Sequence, residues 1–344
     1  MGVTGAPARV HVVVLTWDGW DDTEECLDSL RETEYAALRV TVVDNASADD
    51  TPLRFERWMD RRGPGACLGI DLVRNEANLG FAEGNNRGVA HALEEGADWV
   101  FVLNNDTVVD PAAASELVAE GEGSGAAMVV PAVYDHAHPD RVDRFGIVFT
   151  RSGSAYDRIS ETDGALFCPS GCAALYRRDL VGALTADEGG FFDRRFFMYH
   201  EDVDLGFRAW ARGYRPAFAR GARIHHKGSA ALGLGSPRAY YLRHRNAIWT
   251  IAKNYSAELI LRESPWLVAG QLLGLASAVR RRRFRAVLKG KVEGLLGALR
   301  MRRSSGVPHT RTRAALDRRF ALTRRARLGD DADVREAGRA LRGG

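Results

Sequence analysis

The chain has 344 residues, of which 45% are hydrophobic, 27% charged and 9% aromatic, a composition that excludes a wholly disordered or fibrous protein and fills one large domain or two modest ones. The formal net charge is +3, yet from Gly270 onward 20 Arg or Lys stand against 6 Asp or Glu, so that end carries +14 and the preceding 269 residues carry −11. An acidic body and a basic tail are expected to meet different partners.

Cys26, Cys67, Cys168 and Cys172 are too few and too scattered for a disulfide framework, which favours a reducing compartment. The first apolar stretch, residues 10–15, is too short for the core of a signal peptide, so no secretion signal is expected. Residues 265–279 form the longest mostly apolar stretch, broken by Gln271 and two glycines, and fall short of a bilayer span.

In chain order, residues 10–15 read as a buried strand, 22–31 as a helix and 38–43 as a second strand, a βαβ pattern. Residues 70–73, 81–94, 99–103 and 112–119 continue it as strand, helix, strand and helix. This repetition predicts an α/β fold with a mostly parallel central sheet flanked by helices. Residues 145–176 break into short β-like pieces between Gly, Ser, Asp and Pro, which suggests a small antiparallel addition. Residues 201–212 read as a helix that stops near Gly213. After Pro237 the composition turns helical, and Arg280 to Arg283 follow the apolar stretch directly, a pattern that fits either an interfacial anchor or a basic helix packed on the body.

Ligands of such sheets gather at the carboxyl ends of the strands, and polar clusters stand at these points here. Thr16 follows the first strand; Asp44 follows the second and opens an Asp-Asn-Ala-Ser turn, either as a ligand for a nucleotide base or ribose or as a simple Asx-turn. The run from Asn78 to Gly88 holds Gly80, Gly84, Asn85 and Arg87 at a helix start, suited to an anionic ligand or to a tight structural turn; it is not a P-loop. Asn104, Asn105 and Asp106 end the fourth strand, where Asp106 is a candidate ligand for Mg²⁺ or Mn²⁺ or a turn cap. Glu201, Asp202 and Asp204 crowd one helical turn after an aromatic segment, which suits a general base as well as helix capping. His225 and His226 are candidate phosphate or metal contacts or ordinary packing histidines. The pair Cys168 and Cys172 has no second cysteine pair to build a zinc site with it.

Taken together, Val42 to Ser47, Asn78 to Gly88, Leu103 to Asp106 and Phe192 to Asp204 resemble glycosyltransferase family 2, notably its bacterial rhamnosyltransferase-like branch, over roughly residues 9–250. The resemblance implies a GT-A fold, a nucleoside-diphosphate sugar donor and inverting transfer assisted by Mg²⁺ or Mn²⁺. It assigns Asp44 to the base or ribose, Asn104 and Asp106 to an Asp-x-Asp metal motif whose first acid is here an amide, and Gly171, Cys172 and Ala173 to the sugar pocket. Asp202 takes the part of general base with Glu201 as its neighbour, and His226 that of the histidine reaching the cation or diphosphate. Arg243, Arg245 and Asn246 resemble a segment after the catalytic core whose individual jobs stay open.

The resulting expectation is a GT-A catalytic domain over 1–235, a helical extension over 236–300 and a basic tail over 301–344. The protein would move rhamnose or another hexose to a cell-envelope glycan or lipid-linked acceptor, in the cytoplasm and peripherally on an anionic membrane surface, without nucleic acid; a homodimer is left open. Two other readings share the fold: a binding protein that no longer transfers sugar, and a nucleotidyltransferase, which releases pyrophosphate instead of a nucleoside diphosphate.

Overall fold

The computed structural model describes residues 6–61, 68–228 and 235–303; Cys67, Ser229 and the tail from residue 304 lie outside them. The first half alternates as expected: β1 (Val10–Thr16), α1 (Trp20–Arg31), β2 (Leu38–Asp44), α2 (Thr51–Arg61), β3 (Gly69–Arg74), α3 (Gly80–Glu94) and β4 (Trp99–Asn104). Helix α2 was not legible in the sequence, because Asp49 and Asp50 prolong a turn composition up to its start; the Asp49 carboxylate accepts from the Thr51 N–H at 2.9 Å. The chain continues through β5 (Thr107–Val109), α4 (Ala113–Ser124), β6 (Met128–Asp135), β7 (Val142–Arg144), β8 (Ile147–Phe149), β9 (Ala155–Asp157), β10 (Ala173–Arg177) and α5 (Arg178–Thr185). It ends with α6 (Glu201–Ala211), β11 (Pro216–His226), α7 (Pro237–Asn254), α8 (Ala257–Arg280) and α9 (Phe284–Arg303).

The central sheet has the order β3-β2-β1-β4-β10-β6-β11-β5, with β7 on β6. Strands β3, β2, β1 and β4 are mutually parallel, and β10 inserts antiparallel between β4 and β6. Only β8 and β9 form the separate antiparallel piece expected over 145–176. Residues 173–177 instead join the main sheet, because they are buried on both faces there.

Alternation in β1 shows how the layers arise. Val10, Val12 and Val14 face a core shared with α1, α2 and α4, whereas Val13 faces one shared with α3, α5 and α6. A third cluster joins Ile147 and Phe149 of β8 and Val203 and Phe207 of α6 to Ile251, Leu259 and Leu267 of α7 and α8. The helices after Pro237 are therefore packed onto the body by an apolar core.

Register brings the strand ends level. Thr16 pairs with Asp44, Leu15 with Asn104 and Leu103 with Ala173. Since β10 runs opposite to β4, its beginning, with Gly171 and Cys172, lies at the edge where β1, β2 and β4 end.

Candidate active site

The turns after β1 and β2 are laced together. Asp18 (φ 49°) and Ala46 (φ 62°) are left-handed, a strained backbone for residues with a side chain. The Asp18 N–H donates to Ser47 Oγ at 3.0 Å, and Asp18 Oδ1 accepts from the Ala48 N–H at 2.7 Å. Asp44 is buried, accepts from the Ser47 N–H at 3.0 Å and has the Arg74 guanidinium 3.5 Å from Oδ2. It is thus a turn carboxylate, with one oxygen in the turn and the other toward a half-exposed cation.

Much of the run from Asn78 to Gly88 is engaged within the fold, as a tight structural turn requires, although Asn85 Oδ1 is buried without a partner. Asn45 Oδ1 accepts from the Leu79 N–H, and Asn78 Oδ1 accepts from both the Gly80 N–H and the Asn45 amide. The Ala82 N–H donates to the Phe197 carbonyl at 3.1 Å. A Cβ on Gly84 would meet Leu15 Cδ1 at 2.7 Å and one on Gly80 (φ 78°) would strike Phe197, so these glycines let α3 close onto β1 and onto the loop before α6. Asn85 donates to the Phe81 carbonyl, and exposed Arg87 lies 3.5 Å from Glu83 one turn earlier. Thr16 is similarly taken, its hydroxyl 2.8 Å from that of Thr23.

At the end of β4 the three polar residues part company. Asn105 donates to the Gly19 carbonyl and to Thr23 Oγ1, fixing the start of α1. The Asn104 N–H donates to the Cys172 carbonyl at 2.8 Å and leaves its side chain partly exposed. Asp106 is buried; Oδ2 lies 3.4 Å from His226 Nε2, and Oδ1 has no partner. A buried carboxylate oxygen without a donor is expensive to leave bare, and a hard divalent cation is a fitting occupant for it. Among the described residues no three His, Cys, Asp or Glu side chains form a metal-ligating group; the group open to a cation is Asp106, with Asn104 alongside, while both nitrogens of His226 face carboxylates.

Strand pairing puts His226 there. Residues 107–109 pair antiparallel with 224–226, and His226 matches Asp135 on its other side. Asp143, on the neighbouring β7, then lies 2.8 Å from His226 Nδ1. Burial disfavours the charged imidazole, but Cys172, Asp106 and Asp143 outweigh it and push His226 up to about 12. Asp143 was missed in the sequence, where nothing local marks it. His225, by contrast, turns to Asp110 at 3.2 Å, away from Asp106.

Beyond β10, the row of strand ends is flanked by α6. His200 (φ 70°) precedes the helix, and Tyr199 (φ 70°) and Phe197 (φ 66°) are left-handed as well. Asn246 holds this strained loop by donating to the carbonyls of Phe196, Met198 and Tyr199, and Arg245 donates to that of Phe196. Arg245 and Asn246 thus brace the loop before α6.

The three acids of α6 differ sharply. Asp204 is fully buried and bound to Lys253, Arg208 and Asn254, and the charges of Lys253 and Arg208 hold its carboxyl below the usual range against desolvation. Lys253 also reaches Asp193 at 2.6 Å, so α6, α7 and the preceding loop share one buried ion network. Asp202 is only partly buried; Oδ2 accepts from the Gly171 N–H at 3.0 Å and Oδ1 from the Val203 N–H at 2.7 Å. Desolvation nevertheless raises it to about 6, with the two N–H donors opposing. Glu201 is buried, its Oε2 has no partner, and desolvation and the charge of Asp202 push it well above the carboxylate range. Burial thus favours its neutral form beside an ionisable aspartate. Gly171 touches both sides: its N–H fixes Asp202, and a Cβ there would meet Phe81 at 3.0 Å.

Asp44, Asp106 and Gly171 with its bound Asp202 therefore stand at one edge of the sheet, on or beside strands β2, β1, β4 and β10. At a strand spacing of roughly 4.8 Å this row spans about 15 Å. A separate cavity of about 250 Å³ lies between α3 and residues 185–194, lined by Glu83, Asn86, Asp187 and Phe191 but by none of these carboxylates. Cys26, Cys168 and Cys172 are buried free thiols.

Comparison with known proteins agrees with this architecture. The chain is 25% identical over 309 residues to an N-acetylglucosaminyl-diphospho-decaprenol L-rhamnosyltransferase of Mycobacterium tuberculosis, covering 80% of this chain and 95% of that one. It is 30% identical over 200 residues to the galactofuranosyltransferase GlfT1 of the same species, covering 57% and 62%. Among solved structures, the mannosyltransferase PcManGT from Pyrobaculum calidifontis, in complex with GDP-Man and Mn2+, superposes with a TM-score of 0.53 at 18% identity over 91% of this chain and 89% of that one. Staphylococcus aureus TarS 1–349 gives 0.54 at 15% identity over 90% of both. These likenesses show the GT-A fold. The pattern of Glycosyl transferase family 2 matches residues 11–185, and that of Glycosyl transferase family group 2 matches residues 99–285; the chain belongs to glycosyl transferase family 2, with its rhamnosyltransferase-like members among its relatives.

Proposed function

We propose that this protein is an inverting, divalent-metal-dependent hexosyltransferase that moves a sugar, rhamnose first among the candidates, from a nucleoside diphosphate to a hydroxyl of a cell-envelope glycan or lipid-linked acceptor. The observation that carries the reading is Asp202: a partly exposed carboxylate raised to about 6, aimed by the Gly171 N–H and separated along the sheet edge from the bare oxygen of Asp106. A base near 6 is ionised at neutral pH and still has appreciable proton affinity.

In this reading the nucleoside lies toward Asp44 and the laced turns of Asp18 and Ser47. A Mg²⁺ or Mn²⁺ ion held through Asp106, with Asn104 and His226 beside it, would neutralise charge on the diphosphate. Asp202 takes the proton from the acceptor hydroxyl as its oxygen attacks the anomeric carbon and the nucleoside diphosphate departs from the opposite face, inverting configuration. Glu201, whose neutral form burial favours, stands beside the base and orients the acceptor. Holding both substrates against the sheet edge would align them and restrict attack by water. The 1–235 segment is the catalytic unit, 236–300 its helical extension and 301–344 its basic tail, with work done in the cytoplasm at the membrane face where a lipid-linked acceptor sits.

The names of the relatives support a polyprenyl-linked glycan acceptor and a deoxyhexose or furanose donor. The test is a panel of dTDP-rhamnose, UDP-galactofuranose, other UDP-sugars and GDP-mannose, with Mg²⁺ or Mn²⁺ and lipid-linked acceptors, read by product mass and anomeric configuration. A product of inverted configuration with release of nucleoside diphosphate is expected. Retained configuration, or pyrophosphate released from a nucleoside triphosphate, would overturn the proposal.

A further inference from the structure

Two helices at the end of the described chain present apolar faces that nothing described covers. Of fifteen large apolar side chains exposed among the described residues, twelve belong to α8 and α9. On α8, Leu261, Val268, Leu272 and Val279 recur at spacings of 7, 4 and 7 and lie along one face. Leu259, Glu263, Leu267 and Ala278 are buried on the opposite face. On α9, Phe284, Leu288, Val292, Leu295 and Leu299 follow the same period. Its other side carries Gly290 and Gly294, where a Cβ would strike Tyr241 and Arg245 of α7. The glycine side is therefore the packed side of α9, and the leucine side faces outward.

Exposed stripes of this extent mark an interaction surface, and charge decides its occupant. Residues 257–303 hold 11 Lys or Arg against 3 acids. Residues 304–344 hold 10 Arg against 5 acids. A second copy of the same surface and the chain's own tail thus both bring positive charge to a positive surface. An anionic lipid headgroup layer brings the opposite sign, and acyl chains accept the leucines. No helix of the described residues is long and apolar enough to cross a membrane, so the hairpin lies in the interface and does not traverse it.

We propose that α8 and α9 form a monotopic anchor, lying flat on an anionic bilayer with both leucine-rich stripes below the headgroups and with Arg282, Arg285 and Lys289 among the lipid phosphates. The proposal rests on the lipid-linked acceptor reading for its purpose and deepens it by naming the surface. Leu259 and Leu267, on the inner side of α8, share a core with Val203 and Phe207 of α6. The anchor is thereby packed against α6, whose first turn carries Asp202, which keeps the proposed base close to the membrane.

The test is co-sedimentation of the purified full chain, without detergent, with vesicles of phosphatidylcholine alone or with 30 mol% phosphatidylglycerol, at low and high salt. Tight binding to the anionic vesicles is expected, weakened but not abolished by salt. Leu272→Asp and Leu295→Asp, both on the exposed stripes, should each lower the apparent affinity about tenfold, as expected for losing one immersed leucine. Arg282→Gln with Arg285→Gln should weaken binding to anionic vesicles and leave binding to neutral ones unchanged. Unchanged melting curves keep these variants interpretable. Failure of the parent chain to bind anionic vesicles, or binding indifferent to both leucine substitutions, would overturn the proposal. So would a stable dimer that the same substitutions dissociate. Sugar transfer to a short-chain soluble acceptor is measured in parallel: transfer without vesicle binding defeats the anchor alone, and vesicle binding without transfer defeats the enzymatic reading alone.

Discussion

Replacing Asp202 by Asn tests whether the proposed base is held in the fold against its own preference for water. Its folded value is about 6 against an ordinary aspartate at 3.8, a difference of about 3 kcal/mol. Because the folded-state value is raised, the folded protein retains more protons between about pH 4 and pH 6. Stability therefore falls as pH rises through that window, and the full penalty stands above it. Asparagine cannot ionise and escapes this penalty. Its oxygen can keep the bond from the Val203 N–H, but its NH₂ then faces the Gly171 N–H, which costs about 1 kcal/mol. The variant should thus be about 2 kcal/mol more stable than the parent at pH 8 and about 1 kcal/mol less stable near pH 4. Urea unfolding followed by tryptophan fluorescence across that range measures the difference. Sugar transfer at pH 8 should fall by about 10²- to 10⁴-fold, while kcat/KM of the parent rises with pH and levels above about 6. A stability difference that ignores pH, or near-normal turnover by the variant, would refute the reasoning.

Asp106→Ala should remove the bare buried oxygen and lower metal-stimulated kcat/KM by about 100-fold or more; an unchanged Mn²⁺ titration counts against the ligand role. Asn246→Ala deletes three bonds to the left-handed loop before α6 and should cost about 2–3 kcal/mol, with a fall in kcat larger than the change in KM. Lys253→Met leaves Asp193 and Asp204 short of a buried cation and should cost about 3–5 kcal/mol at pH 7. Both carboxyls are held below their ordinary range, so the stability they contribute is fully present above about pH 4 and is lost as pH falls below it towards their depressed folded values; the cost of the substitution should shrink over that acidic range, which urea unfolding at two pH values will show.

Much of the sheet was legible because β4 is an apolar run, β1 is one broken only by His11, and β2 is a β-branched run interrupted by Arg39 and Thr41, and each ends in a polar residue, a pattern that local sequence carries whole. Helix α6 was legible from its apolar face and acidic first turn. The region from 128 to 226 was harder: β10 lies between β4 and β6 in the central sheet, but its five residues read like one more fragment of the antiparallel addition. Short buried strands carry no mark of their neighbours, since pairing is decided by contacts far along the chain.

What the sequence by itself determined was the run of strand-end polar residues and the acids of α6, because periodicity and turn chemistry are local. Tertiary structure alone decided which of them remain available to a substrate. It closed Asn78, Gly80, Gly84 and Thr16 into the packing and gave Asp204 to a lysine and an arginine. It brought His226 to Asp106 through the pairing of β5 with β11, and it left one oxygen of Asp106 bare and Asp202 poised near neutrality. Whether a polar group is satisfied depends on partners supplied from distant segments, and no stretch of sequence contains its own partners.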